Sequence, residues 1–255
     1  MNISNLCTFI MPVRIDSKER LRNLNITIDW LKKLNCKISV LEADYKQIID
    51  NNSMIGVDYQ FVKDENPLFH RTKYINILLK KTNTKVVSVW DADIIVKHSQ
   101  IITAIDDIVN SNYTLAFPYK ENKYIMLSEE GTKAFISSKN LSIIDRMKIR
   151  PLFNRPLCGG AFCVNRDNYL LLGGENENFI GWGPEDTERL KRVQIMGYNV
   201  KWDESGFLYH LNHPRNQNSF FYDDDTSIII LKELIKICSM DKIELTQYIN
   251  NGFKL

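Results

Sequence analysis

The chain has 255 residues, of which 44% are hydrophobic and 25% charged, and a formal net charge of +2. That length buries one good core, one domain with a tail rather than two, and so small a charge gives no field to hold nucleic acid, which is excluded as a partner. No window reaches the roughly 18–20 apolar residues of a membrane span, and Met1–Pro12 has neither a basic n-region nor a long enough apolar run for a secretion signal, so a cytoplasmic location is expected.

Strands and helices alternate through the first half. Leu6–Met11 reads as a strand, and Ser17–Leu34 as a helix with Leu21, Leu24, Ile28 and Leu31 at helical spacing, Ser17 as its N-cap and Arg20 and Arg22 on its polar side. Lys37–Glu42 is a second strand running into Ala43-Asp44, and Asp58–Val62 a short third. Phe69–Leu79 is a helix and Val86–Trp90 the next strand. Repeated strand–helix–strand units predict an α/β fold with a mostly parallel central sheet flanked by helices.

The second half is less regular. Gln100–Asn110 reads as a helix, Tyr113–Pro118 and Leu157–Asn165 as strands, and Lys120–Arg155 as a long polar stretch, a candidate flexible or acceptor-side region. Glu185–Met196 is a helix closed by Gly197, followed by short strands at Asn199–Trp202 and Leu208–His210. Thr226–Cys238, capped by Asp223-Asp224-Asp225, and Lys242–Ile249 are terminal helices. Residues 1–221 form the main domain and 222–255 its C-terminal helical extension. The basic groups Lys18/Arg20/Arg22, Lys32/Lys33, Lys80/Lys81 and Arg146/Lys148/Arg150 read as solvated faces, with weak peripheral membrane contact as a further expectation. Five cysteines in no CxxC spacing read as free buried thiols.

Ligands of such open sheets sit beyond the carboxyl ends of the strands. Three strand ends carry polar groups: Pro12-Val13-Arg14, Glu42-Ala43-Asp44 and Asp91-Ala92-Asp93. Strand alternation sends Asp91 and Asp93 to one side, where carboxylates can hold Mn²⁺ or Mg²⁺ against a diphosphate. A histidine just past a late strand, His210 or alternatively His213, can complete that metal site. In Gly181-Trp182-Gly183-Pro184-Glu185-Asp186 the glycines allow close backbone approach. The acidic pair opens a helix, one of its carboxylates being suited to act as a general base and Trp182 to stack on a sugar. Acidic residues also stabilise a helix start on their own, so the loop is ambiguous by itself.

Taken in order, Pro12-Val13-Arg14, Phe69 to Asn76, Asp91-Ala92-Asp93, Gly159-Gly160, the Gly181–Asp186 loop and the His210 segment resemble the beta-1,4-galactosyltransferase-like group of glycosyltransferases. The resemblance runs from residue 12 to residue 213 and implies the glycosyltransferase-A fold and an inverting transfer from a UDP-sugar donor. It implies that Pro12, Arg14, Phe69, Arg71 and Asp91 line the uridine diphosphate site, with Ala92 and Gly160 beside them. Glu42 and Asp44 join that donor set by their strand end. Asp93 and His210 would ligate Mn²⁺, Trp182 and Glu185 would contact sugar, Asp186 would be the catalytic base, and Arg14 would stabilise the departing diphosphate.

Two departures stand out. Thr187 follows the Glu-Asp pair where the group has an acidic run, and Leu157 stands where galactose-specific members have a tyrosine. A smaller residue there leaves room for an N-acetyl group, so UDP-N-acetylgalactosamine competes with UDP-galactose as the expected donor. The acceptor is expected to be a saccharide or lipid-linked oligosaccharide, in bacterial surface-polysaccharide synthesis at the inner face of the membrane. A sugar-nucleotide nucleotidyltransferase and a non-catalytic binding module are the alternatives.

Overall fold

The computed structural model describes residues 2–146 and 156–254. The first strand, β1 (Cys7–Val13), is buried at every position, as an inner strand covered on both faces must be. The Ser17 hydroxyl accepts the Arg20 amide and starts α1 (Lys18–Lys32), which leads to β2 (Lys37–Asp44), a short 3₁₀ turn and β3 (Asp58–Lys63). Next come α2 (Arg71–Lys81), β4 (Val86–Trp90), β5 (Ile94–Val96), α3 (His98–Asn110), β6 (Leu115–Phe117) and β7 (Tyr124–Met126). Two helices, α4 (Glu129–Ser138) and α5 (Leu141–Arg146), precede β8 (Ala161–Asn165), α6 (Arg166–Leu171) and α7 (Glu185–Ile195). The chain closes with β9 (Val200–Trp202), β10 (Leu208–His210), α8 (Asp224–Ser239) and α9 (Lys242–Asn250).

Seven strands form the main sheet in the order β3-β2-β1-β4-β8-β6-β9. The β3-β2-β1-β4 half is parallel, and β8 runs antiparallel between β4 and β6. This reversal positions the site. It pairs Trp90 with Ala161, so that the Asp91 amide donates to the Gly160 carbonyl at 2.9 Å and the carboxylate pair meets the double glycine. A second sheet, β5-β10-β7, pairs Ile94 with His210, and the Leu211 amide donates to the Asp93 carbonyl at 2.8 Å. The strand leaving Asp93, β5, therefore pairs with β10, which brings His210 back to it. Parallel β4 alone could not do this.

The stretch expected as featureless polar chain holds β7, α4 and α5, and residues 147–155 of it, with Lys148 and Arg150, lie outside the described residues. Within it Ile125, Leu127, Phe135, Leu141 and Ile144 gather with Ile26 and Trp30 of α1, Ile95, Tyr209 and Leu211 into one buried cluster. Those partners lie far off in sequence, so no local periodicity announces the helices. At the other end α8 and α9 share a third cluster, Ile230, Ile237, Leu245, Tyr248 and Phe253, with Phe179. Among the described residues no helix is long and apolar enough to cross a membrane. All five thiols are free, but only Cys7 and Cys163 are fully buried and Cys238 is exposed, which corrects the expectation that all are buried.

Candidate active site

Beyond the carboxyl ends of β1 and β4 lies a cleft of about 610 Å³. Pro12, Arg14, Arg20, Phe69, Arg71 and the Asp91-Ala92-Asp93 turn form one wall; Leu157 to Gly160 and the loop Trp182–Thr187 form another, with His210, His213 and Arg215 between them. The two glycines are steric requirements. A Cβ on Gly159 would stand 2.4 Å from Asp186 Oδ2, and Gly160 has φ +84° with Ile94 and Tyr124 side chains 3.2–3.3 Å from where a Cβ would be.

Asp93 is the polar centre of the cleft floor. Its carboxylate faces His213 Nε2 at 3.0 Å, His210 Nε2 at 3.4 Å and Arg20 Nη1 at 3.5 Å. Burial works against the charge, but the two imidazoles and the guanidinium outweigh it and hold the carboxyl below its usual range. Burial likewise lowers His210, which favours the neutral imidazole that a metal needs. When His213 Nδ1 donates to the Pro214 carbonyl at 2.7 Å, its Nε2 turns a lone pair toward Asp93. In that tautomer the lone pair and the carboxylate are brought together favourably only by a cation between them. The three groups offer ligand atoms within 4.8 Å of one another, so the donor set fits a divalent ion. Three protein ligands leave coordination positions open. The nitrogen pair argues for Mn²⁺ over Mg²⁺, which prefers oxygen throughout.

The other pole of the cleft is the start of α7. Pro184 precedes the first turn and Glu185 and Asp186 open it, where negative charge is favoured by the helix dipole. The neighbours behave differently. Glu185 is buried, one oxygen has no partner, and Arg71 is 3.8 Å from the other. Burial first, then the charge of Asp186, push it up to about 8, so it is a neutral acid at pH 7. Asp186 is partly exposed and accepts from Arg189 Nη1 at 2.6 Å. Because the folded value of Glu185 lies above the ordinary carboxylate value, the stability it lends is present in acid and lost as pH rises through about 8. The melting temperature of the metal-free protein is accordingly expected to fall between pH 6 and pH 9. The fall should be shallower in Glu185→Gln, and equal slopes in the two proteins would contradict an acid neutral at pH 7.

The remaining expected residues divide clearly. Phe69 lines the cleft beneath the Arg14 guanidinium, 5.4 Å from its ring, and Arg71 holds Asp91 at 2.7 Å. Trp182 is 46% exposed at the rim, edge-on to Phe221. Glu42, expected at the donor site, is fully buried and outside the cleft: its carboxylate accepts from the Ile48 and Ile49 amides and the Tyr59 hydroxyl, and so holds the loop after β2. Asp44 lies in an adjoining cavity of about 380 Å³ with Tyr45, Asp64 and Asn66, which joins the main cleft at Arg14.

Arg14 also differs from expectation. Its Nε donates to the Ala43 carbonyl, Nη1 to those of Asn66 and Pro67, and Nη2 to Asp64, so it braces the wall and has little left for a phosphate. Arg20 corrects the expectation of a solvated face: it bridges Asp16 at 3.0 Å and reaches Asp93 at 3.5 Å, inside the cleft. Sequence reasoning missed Arg20, Arg189 and Glu175. The one signal for Arg189 was its position three residues after Asp186, one helical turn away.

A family described as the N-terminal domain of galactosyltransferase matches residues 143–214, which include the double glycine, the Glu185-Asp186 pair and both histidines. No curated protein sequence matches the chain. Among solved structures, a mutant Drosophila β1,4-galactosyltransferase 7 in complex with manganese, UDP-Gal and xylobiose is 12% identical. The match covers 88% of this chain and 79% of that one, with a TM-score of 0.57. GalNAc-T7 with UDP, GalNAc and Mn²⁺ is 10% identical over 91% of this chain and 48% of its own, with a TM-score of 0.58. Glucosyl-3-phosphoglycerate synthase from Mycobacterium tuberculosis, with Mn²⁺, UDP and phosphoglyceric acid, is 13% identical over 92% and 79%, with a TM-score of 0.55. Residues 143–214 are thus similar to a galactosyltransferase family, and the chain as a whole has the fold of the glycosyltransferase-A enzymes.

Proposed function

We propose that the protein is an inverting, divalent-metal-dependent glycosyltransferase that moves galactose or N-acetylgalactosamine from a UDP-sugar to a saccharide acceptor. One observation carries this reading: the Asp93, His210 and His213 group and the Asp186 carboxylate open onto the same cleft. Asp186 takes the proton of the acceptor hydroxyl. The hydroxyl oxygen forms its bond to the anomeric carbon from the face opposite the leaving group, and UDP departs with the electrons of the broken carbon–oxygen bond. A metal ion held by Asp93, His210 and His213 would neutralise charge growing on that diphosphate. Arg20 and Arg215 add cations on the same side, and Glu185, kept neutral, offers a donor to a sugar oxygen.

The manganese, UDP-sugar and saccharide that the similar structures hold support the ligand classes. Leu157 on the cleft wall supports N-acetylgalactosamine as a competing donor. The exposed apolar run Phe220, Phe221, Ile228, Ile229 and Ile235 supports a lipid-linked oligosaccharide acceptor in surface-polysaccharide synthesis, met at the inner face of a membrane. Turnover of UDP-galactose and UDP-N-acetylgalactosamine, with hydrolysis as the readout, tests the reading. Both donors are expected to react in Mn²⁺, with Leu157→Tyr lowering N-acetylgalactosamine use about tenfold relative to galactose, the scale of one mismatched group in a pocket. Strict galactose use that Leu157→Tyr leaves unchanged would remove the donor assignment. Tight UDP binding without turnover of either donor would favour a binding module.

A further inference from the structure

Arg189 is fully buried, although the charged residues of a helix ordinarily face water. Glu175 binds it from below with both oxygens, Oε1 to Nε and Oε2 to Nη2, each at 2.8 Å. The Tyr169 hydroxyl donates to Glu175 Oε1 at 2.7 Å and accepts from Arg189 Nε at 3.1 Å, and the Phe162 ring lies 3.9 Å from the guanidinium carbon. A planar guanidinium clamped this way has one direction left for its remaining nitrogen. Nη1 points at Asp186 Oδ1, at 2.6 Å. The second oxygen, Oδ2, lies against the Cα of Gly159, which leaves no room for a side chain. The Asp186 carboxylate is thus held between a charged fork and a bare backbone, with one oxygen spent and the other free for chemistry.

We propose that Glu175 and Tyr169 act through Arg189 as a positioning device that fixes the Asp186 carboxylate for proton abstraction. The proposal rests on the reading of Asp186 as the base. Buried ion pairs contribute little net stability against apolar replacements, so a pair at this position needs another reason, and aiming a carboxylate is one. The same geometry keeps the base charge-balanced: the positive charge of Arg189 is shared with Glu175 and not given wholly to Asp186. Neither Glu175 nor Tyr169 lines the cleft, so both are positioning residues.

The test compares Tyr169→Phe, Glu175→Gln and Arg189→Lys with wild type and with Asp186→Asn, using UDP-galactose and Mn²⁺ with hydrolysis as the readout and calorimetric titration of UDP in Mn²⁺. Tyr169→Phe keeps the ring and is the variant that survives folding if the charge changes do not. Expected are a kcat lowered about threefold in Tyr169→Phe and about thirtyfold or more in Glu175→Gln and Arg189→Lys, with donor KM and UDP affinity within twofold of wild type. A misplaced base lowers kcat alone, whereas a loosened fold moves binding as well. Normal kcat in folded Tyr169→Phe and Glu175→Gln, or UDP affinity falling in step with kcat, overturns the proposal while leaving the base intact. Full activity in Asp186→Asn overturns the base and the proposal with it.

Discussion

Asp186→Asn is expected to lower transfer by about 10²–10⁴-fold while UDP and Mn²⁺ bind as in wild type, the range a positioned general base contributes. The change removes the carboxylate proposed to take the acceptor proton and nearly nothing else. The amide keeps an oxygen for Arg189 Nη1, and Arg189 keeps both oxygens of Glu175, so no buried charge is stranded. Asp186 is not among the groups that pair with Asp93, whose partners are Arg20, His210 and His213, so the change leaves those contacts in place. Single-turnover transfer and UDP titration measured on one preparation decide the matter. A variant that transfers at more than a tenth of the wild-type rate would pass the base role elsewhere. Glu185 is the wrong heir: it is buried, raised to about 8 and neutral at pH 7, so it lacks the negative charge with which to take a proton.

Removing the metal group should be as severe. Asp93→Asn is expected to weaken Mn²⁺ binding at least 100-fold and to take turnover with it, because Asp93 would be the anionic ligand and lies between both imidazoles. Arg20 retains Asp16 at 3.0 Å, so the loss of Asp93 leaves its charge paired and the fold intact. His210→Ala and His213→Ala should each weaken Mn²⁺ binding about tenfold or more, since one imidazole and one carboxylate hold an ion less well than three converging groups. Titration of Mn²⁺ in the presence of UDP reads all three variants. A histidine variant with wild-type affinity marks a histidine that is not a ligand.

Much of the fold was legible in the residues. Apolar runs gave β1, β2 and β4, and Ser17 and Asp223 marked helix starts where their side chains accept the expected amides. The stretch 120–146 was not legible because its buried residues find their partners in α1, β5 and β10, and no local period records a partner so distant in sequence. The site was legible where chemistry requires a residue type. Carboxylates at the end of β4, two histidines past a strand and an acidic pair opening a helix are motifs by themselves. Glu42 was over-read for the same reason, since a polar group at a strand end serves equally well as a brace, and Arg14 lines the cleft while bracing its wall.

The sequence by itself determined the α/β class, the carboxylates at the end of β4, and an acidic helix start after a glycine-rich loop. These depend on side-chain period and residue type, which are local. Only the tertiary structure decided that both histidines face Asp93, since that depends on β10 pairing against β5. It alone decided that Arg20 and not Arg14 points a guanidinium toward the metal group, and that Glu175 reaches Asp186 through Arg189. Apart from the single helical turn between Asp186 and Arg189, those are contacts between residues 14 to 120 positions apart. Their partners are chosen by strand order and burial, which residue type does not encode.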